Sequence, residues 1–146
     1  MSTLVVVAQR ARARLFLQHE PRGALTEVAD LVHPTARLRE SDLKSDRPGR
    51  VHERVGEVRH AMGQHESPQE HEAATFAREI ADAVRASRER GDHDRLVLVA
   101  EPRFLGELRQ HLDRVSARAL VGEVHRELTD RSAQDIAGYL AELPTR

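Results

Sequence analysis

Leu4-Val5-Val6-Val7-Ala8 is an unbroken apolar run near the amino terminus. A half-exposed strand would alternate apolar and polar residues, so a run without alternation reads as a central strand buried on both faces. Arg10, Arg12 and Arg14 end it well short of the roughly 18 apolar residues of a membrane span. It also lacks the basic leader of a signal peptide. Working outward, Ala13, Leu15 and Leu17 alternate with Arg12, Arg14, Phe16 and Gln18, the pattern of a half-exposed partner strand joined by a hairpin. Pro21 to Gly23 mark a second turn, and Leu25 to Val32 supply a third strand that Pro34 stops. The chain is therefore expected to open as a three-stranded antiparallel meander.

A long loop, residues 33–67, separates this meander from the next element. Ser67-Pro68-Gln69-Glu70 then offers an N-cap serine, proline at the first helical position and glutamate at the third. Ala73, Phe76, Ala77, Ile80, Ala81 and Val84 follow at helical spacing, with Glu72, Arg78, Glu79, Asp82 and Arg85 on the other side, until Gly91 closes the helix. Asp94 to Ala100 carries a second buried strand, Leu96-Val97-Leu98-Val99, and Pro102 to Leu112 returns to helical spacing. Ala117 to Val124 reads as a last strand and Ser132 to Leu143 as a last helix, with Ser132 and Asp135 placed for a capping box. The order β, β, β, loop, α, β, α, β, α predicts a single α/β domain, residues 1–146, built on one mixed sheet with ribonuclease-H-like topology. Nucleases of that topology carry a metal-binding carboxylate on the first strand. Here that strand has none, which argues against nuclease chemistry.

Composition narrows the function classes. At 146 residues the chain is one domain's worth, and 23 basic against 24 acidic side chains give a net charge of -1, so bulk attraction to DNA is not expected. The basic residues are 22 arginines and Lys44, a bias toward bidentate phosphate or carboxylate contacts. With no cysteine, disulfides, thiolate catalysis and cysteine-ligated zinc are excluded. A cytoplasmic protein without cofactor or membrane span is expected.

Leu43 to Glu72 is the stretch most suited to function, because long structureless loops in small domains are usually either functional or disordered. Lys44, Arg47 and Arg50 surround Pro48-Gly49, a tight turn able to present backbone amides beside guanidinium groups to an RNA phosphate. The competing role is an arginine–carboxylate network with Asp42 or Asp46 that pins the loop. His52, His60, His65 and His71 lie close to Glu66, Glu70 and Glu72, yet the segment lacks the i, i+4 histidine pair of a helical zinc motif, so no metal site is assigned. Arg103, in Glu101-Pro102-Arg103-Phe104, follows a buried strand at the place where open α/β sheets put ligand crevices. Its neighbours Phe104 and Leu105 serve equally well as ordinary packing residues. Residues 43–50 are expected to be ordered by their turn and ion pairs, and residues 52–66 to be loose.

The segments Ala11 to Phe16, Leu43 to Arg50, His60 to Met62, Glu70 to Ala73, Phe76 to Glu79 and Leu96 to Gly106, in that order, resemble the bacterial proteins required for attachment to host cells. The resemblance runs nearly end to end. It implies kinship with the middle domain of archaeal and eukaryotic peptide-release factors and of Pelota, in which a Gly-Gly-Gln loop precedes a long helix. Here Gly63-Gln64 falls in the corresponding loop, but Met62 stands where the first glycine would be. The leading functional expectation is a non-catalytic, release-factor-like adaptor that binds the ribosome or tRNA in translation-related stress. The alternatives are a peptidyl- or aminoacyl-tRNA ester hydrolase using Gln64, and a protein-interaction module or homodimer joined through a sheet edge or the loop.

Overall fold

The computed structural model describes residues 1–33 and 67–143, and in it the Leu4 to Ala8 run lies at the middle of a five-stranded sheet. β1 (Thr3–Ala8) pairs antiparallel with β2 (Arg12–Gln18), Val6 opposite Leu15, and parallel with β4 (Arg95–Val99), Val6 opposite Leu98. β3 (Thr26–Val32) adds to β2 antiparallel, with a bulge at Leu15/Phe16, and β5 (Leu120–Val124) adds to β4 parallel. The sheet order is β3-β2-β1-β4-β5, a mixed α/β sheet whose two edges are β3 and β5.

Four helices among the described residues cover this sheet. α1 (Pro68–Glu89) starts where its caps dictate: Ser67 Oγ accepts from Glu70 N at 3.1 Å, and the Glu70 carboxylate accepts from Ser67 N at 2.8 Å. It stops at Arg90, after which Gly91 turns the chain with φ 82°. α2 (Pro102–His111) and the short α3 (Arg114–Ala119) bridge β4 to β5, and α4 (Ala133–Ala141) follows β5. Leu4, Val6 and Leu98 point to one face, where Phe76, Ile80 and Val84 of α1 and Phe104, Leu105 and Leu108 of α2 bury them. Val5, Val7, Val97 and Val99 point to the other, under Leu128 and Ile136. Each such aliphatic side chain withdrawn from water contributes roughly 1.5–3 kcal/mol before entropy is charged against it.

Two expectations need correction. β2 is not half-exposed: Phe16, placed by alternation on the polar face, is 0% exposed, because α4 and its lead-in cover that face as well. Nor does the last strand begin at Ala117. Residues 114–119 form α3, since Asp113 caps Ser116 N at 2.7 Å and is itself gripped by Arg88 of α1. Ala117-Arg118-Ala119 favours helix locally, the Asp113 cap supplies a start three residues earlier, and Arg88 holds that cap in place. The remaining elements agree with the expected order, and Ser132 caps α4 through Asp135 N at 3.0 Å.

Candidate anion-binding crevice

β1, β4 and β5 run parallel, so their carboxyl ends open on the same side of the sheet, where α/β folds place ligands. Immediately beyond those ends stand Gln9-Arg10, Glu101-Pro102-Arg103 and the His125 to Glu127 segment. A crevice of about 490 Å³ lies there, lined by Arg10, Ser67, Glu70, Glu101, Arg103 and Glu107. An adjoining depression of about 450 Å³ shares Arg10, Glu101 and Arg103 and extends to Gln9 and Glu127.

The lining looks acidic by count, yet three of its four carboxylates accept backbone hydrogen bonds. Glu101 is the N-cap of α2 and accepts from Phe104 N at 2.8 Å and Arg103 N at 3.2 Å. Glu70 closes the α1 capping box, and the Ser67 backbone N–H chiefly, with a smaller contribution from Arg103, holds its carboxyl below the usual range. Glu127 accepts from Thr129 N at 2.6 Å and from the Thr129 hydroxyl. Glu107 approaches His111 Nδ1 at 4.0 Å. By contrast Arg10 and Arg103 are exposed, and among the described residues neither guanidinium makes a hydrogen bond or an ion pair. Two guanidiniums without hydrogen-bonded partners, beside three carboxylates tied to backbone N–H groups, offer donors for a carboxylate or phosphate in bidentate fashion.

The floor of the crevice is held from behind. Arg14 donates through Nη1 to Thr129 O at 2.9 Å and Arg131 O at 2.7 Å, and grips Glu27 through Nε and Nη2. This ties β2 and β3 to the chain that follows β5 and fixes where Glu127 sits. On the other wall, Phe104 stacks on Phe76, centroids 6.3 Å apart, and Phe76 stacks on His33 at 5.2 Å. The first turn of α2, which carries Arg103, is thereby fastened to α1.

Of the residues singled out in the sequence, Arg103 lines this crevice, while Lys44, Arg47, Arg50 and Gln64 lie outside the described residues, as do His52, His60 and His65 and the whole ordered-versus-loose division of residues 43–66. Among the described residues no group of three or more histidines and carboxylates is placed to hold a metal ion. Nor is any described helix long and apolar enough to cross a membrane. Arg10 lines the crevice as well, although in the sequence it reads only as the end of an apolar run. The rule that found Arg103 would have found it too, because it also follows the carboxyl end of a buried strand.

The molecule is thus a mixed α/β domain with a crevice lined by both arginines and carboxylates at the carboxyl ends of its parallel strands. The chain belongs to the family of proteins required for attachment to host cells, whose model matches residues 4–140. No curated protein matches it. Among solved structures it is similar to an archaeal protein at 14% identity and a TM-score of 0.47, over 97% of this chain and 38% of that one. It is also similar to the archaeal translation termination factor aRF1, at 11% identity and a TM-score of 0.46, over 96% of this chain and 36% of that one. The chain therefore spans well under half the length of either structure.

Proposed function

We propose that this member of the host-attachment family is a non-catalytic binding domain that docks on ribosomal or transfer RNA, with Arg10 and Arg103 receiving a phosphate in the carboxyl-end crevice. The observation that carries the reading is the pair of exposed guanidiniums that make no hydrogen bond or ion pair among the described residues, in a crevice where Glu70, Glu101 and Glu127 accept from backbone N–H groups. A phosphate supplies the charge and the paired oxygens that such groups match. Lys44, Arg47 and Arg50 are proposed to extend the contact along the nucleic-acid backbone.

Co-sedimentation with ribosomes, repeated across a salt series, tests it. Phosphate contacts release counterions, so the bound fraction should fall as salt rises. Arg10→Ala and Arg103→Ala should each weaken binding and reduce the log–log salt slope by about 1. Absence of the protein from ribosomal fractions at low salt, or unchanged slopes in both variants, would overturn the proposal.

A second reading, self-association, is favoured by the edge strand β3, where Val28 and Val32 are 51% and 42% exposed. Light scattering at micromolar concentration should then show a dimer that Val28→Lys dissociates. A monomer throughout would dispose of it.

A further inference from the structure

At the opposite end of the sheet, below the amino ends of β1, β4 and β5, lies a cavity of about 180 Å³ that the crevice does not reach. One part of its wall is apolar, built from Val97 of β4, Val121 of β5, and Leu140 and Leu143 at the end of α4, and Thr3 and Gln18 add polar groups elsewhere. Arg22 and Arg95 also line it. Among the described residues neither guanidinium has a hydrogen bond or an ion pair.

Arg22 is there at a conformational cost. The turn Glu20-Pro21-Arg22-Gly23 is closed by Gly23 N donating to Glu20 O at 2.8 Å, and it is fastened to β2 by Gln18 Nε2 donating to Gly23 O at 2.9 Å. Proline in the second position and positive φ in the third is the type II pattern, whose third position favours glycine or asparagine. Here that position holds Arg22 at φ 62°, the one non-glycine residue with positive φ among those described. Gly23 does not share the strain but is fixed by crowding, since a Cβ there would meet Glu20 O at 2.9 Å. Glycine at position 22 would remove both the strain and the guanidinium. Strain of this kind persists where the side chain it presents is used.

We infer that this cavity binds a small monocarboxylate with a short apolar tail, its carboxylate met by Arg22 and Arg95 and its tail received by Val97, Val121, Leu140 and Leu143. The two cations without protein partners call for an anion, and the apolar wall behind them excludes a fully hydrated one such as inorganic phosphate. At about 30 Å³ per water-sized group, 180 Å³ has room for roughly six such groups, which suits a fatty acid of short chain.

Hexanoate is the probe, followed by methyl resonances of the leucines and valines and by thermal unfolding. Hexanoate should shift the cavity methyls saturably and raise Tm. Arg22→Gly and Arg95→Gln should each lower that affinity about tenfold or more, the loss expected when a charge-assisted contact goes. Arg22→Gly should do so without lowering Tm in the absence of ligand, a combination that a purely structural Arg22 would not give. Arg103→Ala, at the other end of the sheet, should leave the hexanoate response intact. The inference is overturned if wild-type protein shows no saturable shift, if hexanol or inorganic phosphate binds as well as hexanoate, or if Arg22→Gly binds hexanoate as wild type does.

Discussion

The two faces of the sheet are built from the same strands and protected very differently. One receives two helices and two of the chain's three phenylalanines, Phe76 and Phe104, with Leu105, Leu108, Ile80 and Val84 around them. The other receives one nine-residue helix and its lead-in, which offer Leu128 and Ile136 as buried residues, with Tyr139 and Leu140 only partly covered. The candidate crevice lies between α1 and α2, on the thick side. The wall with the deeper packing holds Arg103 in place, because displacing a first-turn residue of α2 means breaking the Phe76–Phe104 stack. The thin side closes the apolar cavity with the end of a short helix, where opening costs less.

The sharpest way to break this comparison is to empty each face in turn. Phe76→Ala should destabilise by about 3–5 kcal/mol, since the ring is fully buried and stacks on two others. Denaturant unfolding measures it. Ile136→Ala should cost less, about 2–4 kcal/mol, on a face with fewer neighbours to leave unsupported. Equal losses would mean that the thin face is as strongly packed as the thick one.

A smaller effect concerns the link between α1 and α3. Asp113 accepts from Arg88 at 3.0 Å and from Ser116 N at 2.7 Å, and these bonds hold its carboxyl down at about 2. Its folded value lies below the usual one, so its contribution is present above about pH 3.8 and is lost as pH falls toward 2. After allowance for solvent screening of a third-exposed group, Asp113→Asn should cost about 1 kcal/mol at neutral pH and flatten the acid limb of the stability curve over that window. An unchanged acid limb would remove the ion pair from the account of why α3 is helical.

The smallest expected effect lies in the connection from α1 to β4. His93 is buried, with Nδ1 at 2.7 Å from Ser87 Oγ and Nε2 without a partner, and burial first, then the nearby Arg88, lowers its pKa below 6.5. The folded state therefore favours the neutral ring. Stability from this group is complete above about pH 6.5 and declines as the pH drops toward the lowered value. His93→Gln should show a shallower loss of urea midpoint between pH 7 and 5 than wild type. Identical slopes would assign that part of the acid sensitivity to other groups.

By itself the sequence determined the elements whose signals are local. The uninterrupted Leu4 to Ala8 and Leu96 to Val99 runs specify central strands, and Ser67, Pro68 and Glu70 specify the start of α1 through bonds spanning three residues. It also placed Arg103 just past the carboxyl end of a central strand, where the structure has a crevice, because the end of a buried strand is legible in one dimension. Tertiary structure alone decided the rest, since those outcomes depend on groups distant in the chain. Arg88 reached across from α1 to hold the Asp113 cap, Phe16 was buried by α4, and Arg10 came to share a crevice with Arg103 because β1 and β4 are neighbours. Composition gives 22 arginines without saying which are paired. Arg14 is spent on Glu27, Thr129 and Arg131, whereas Arg10, Arg22, Arg95 and Arg103 have no such partner among the described residues, and only packing in three dimensions could divide them so.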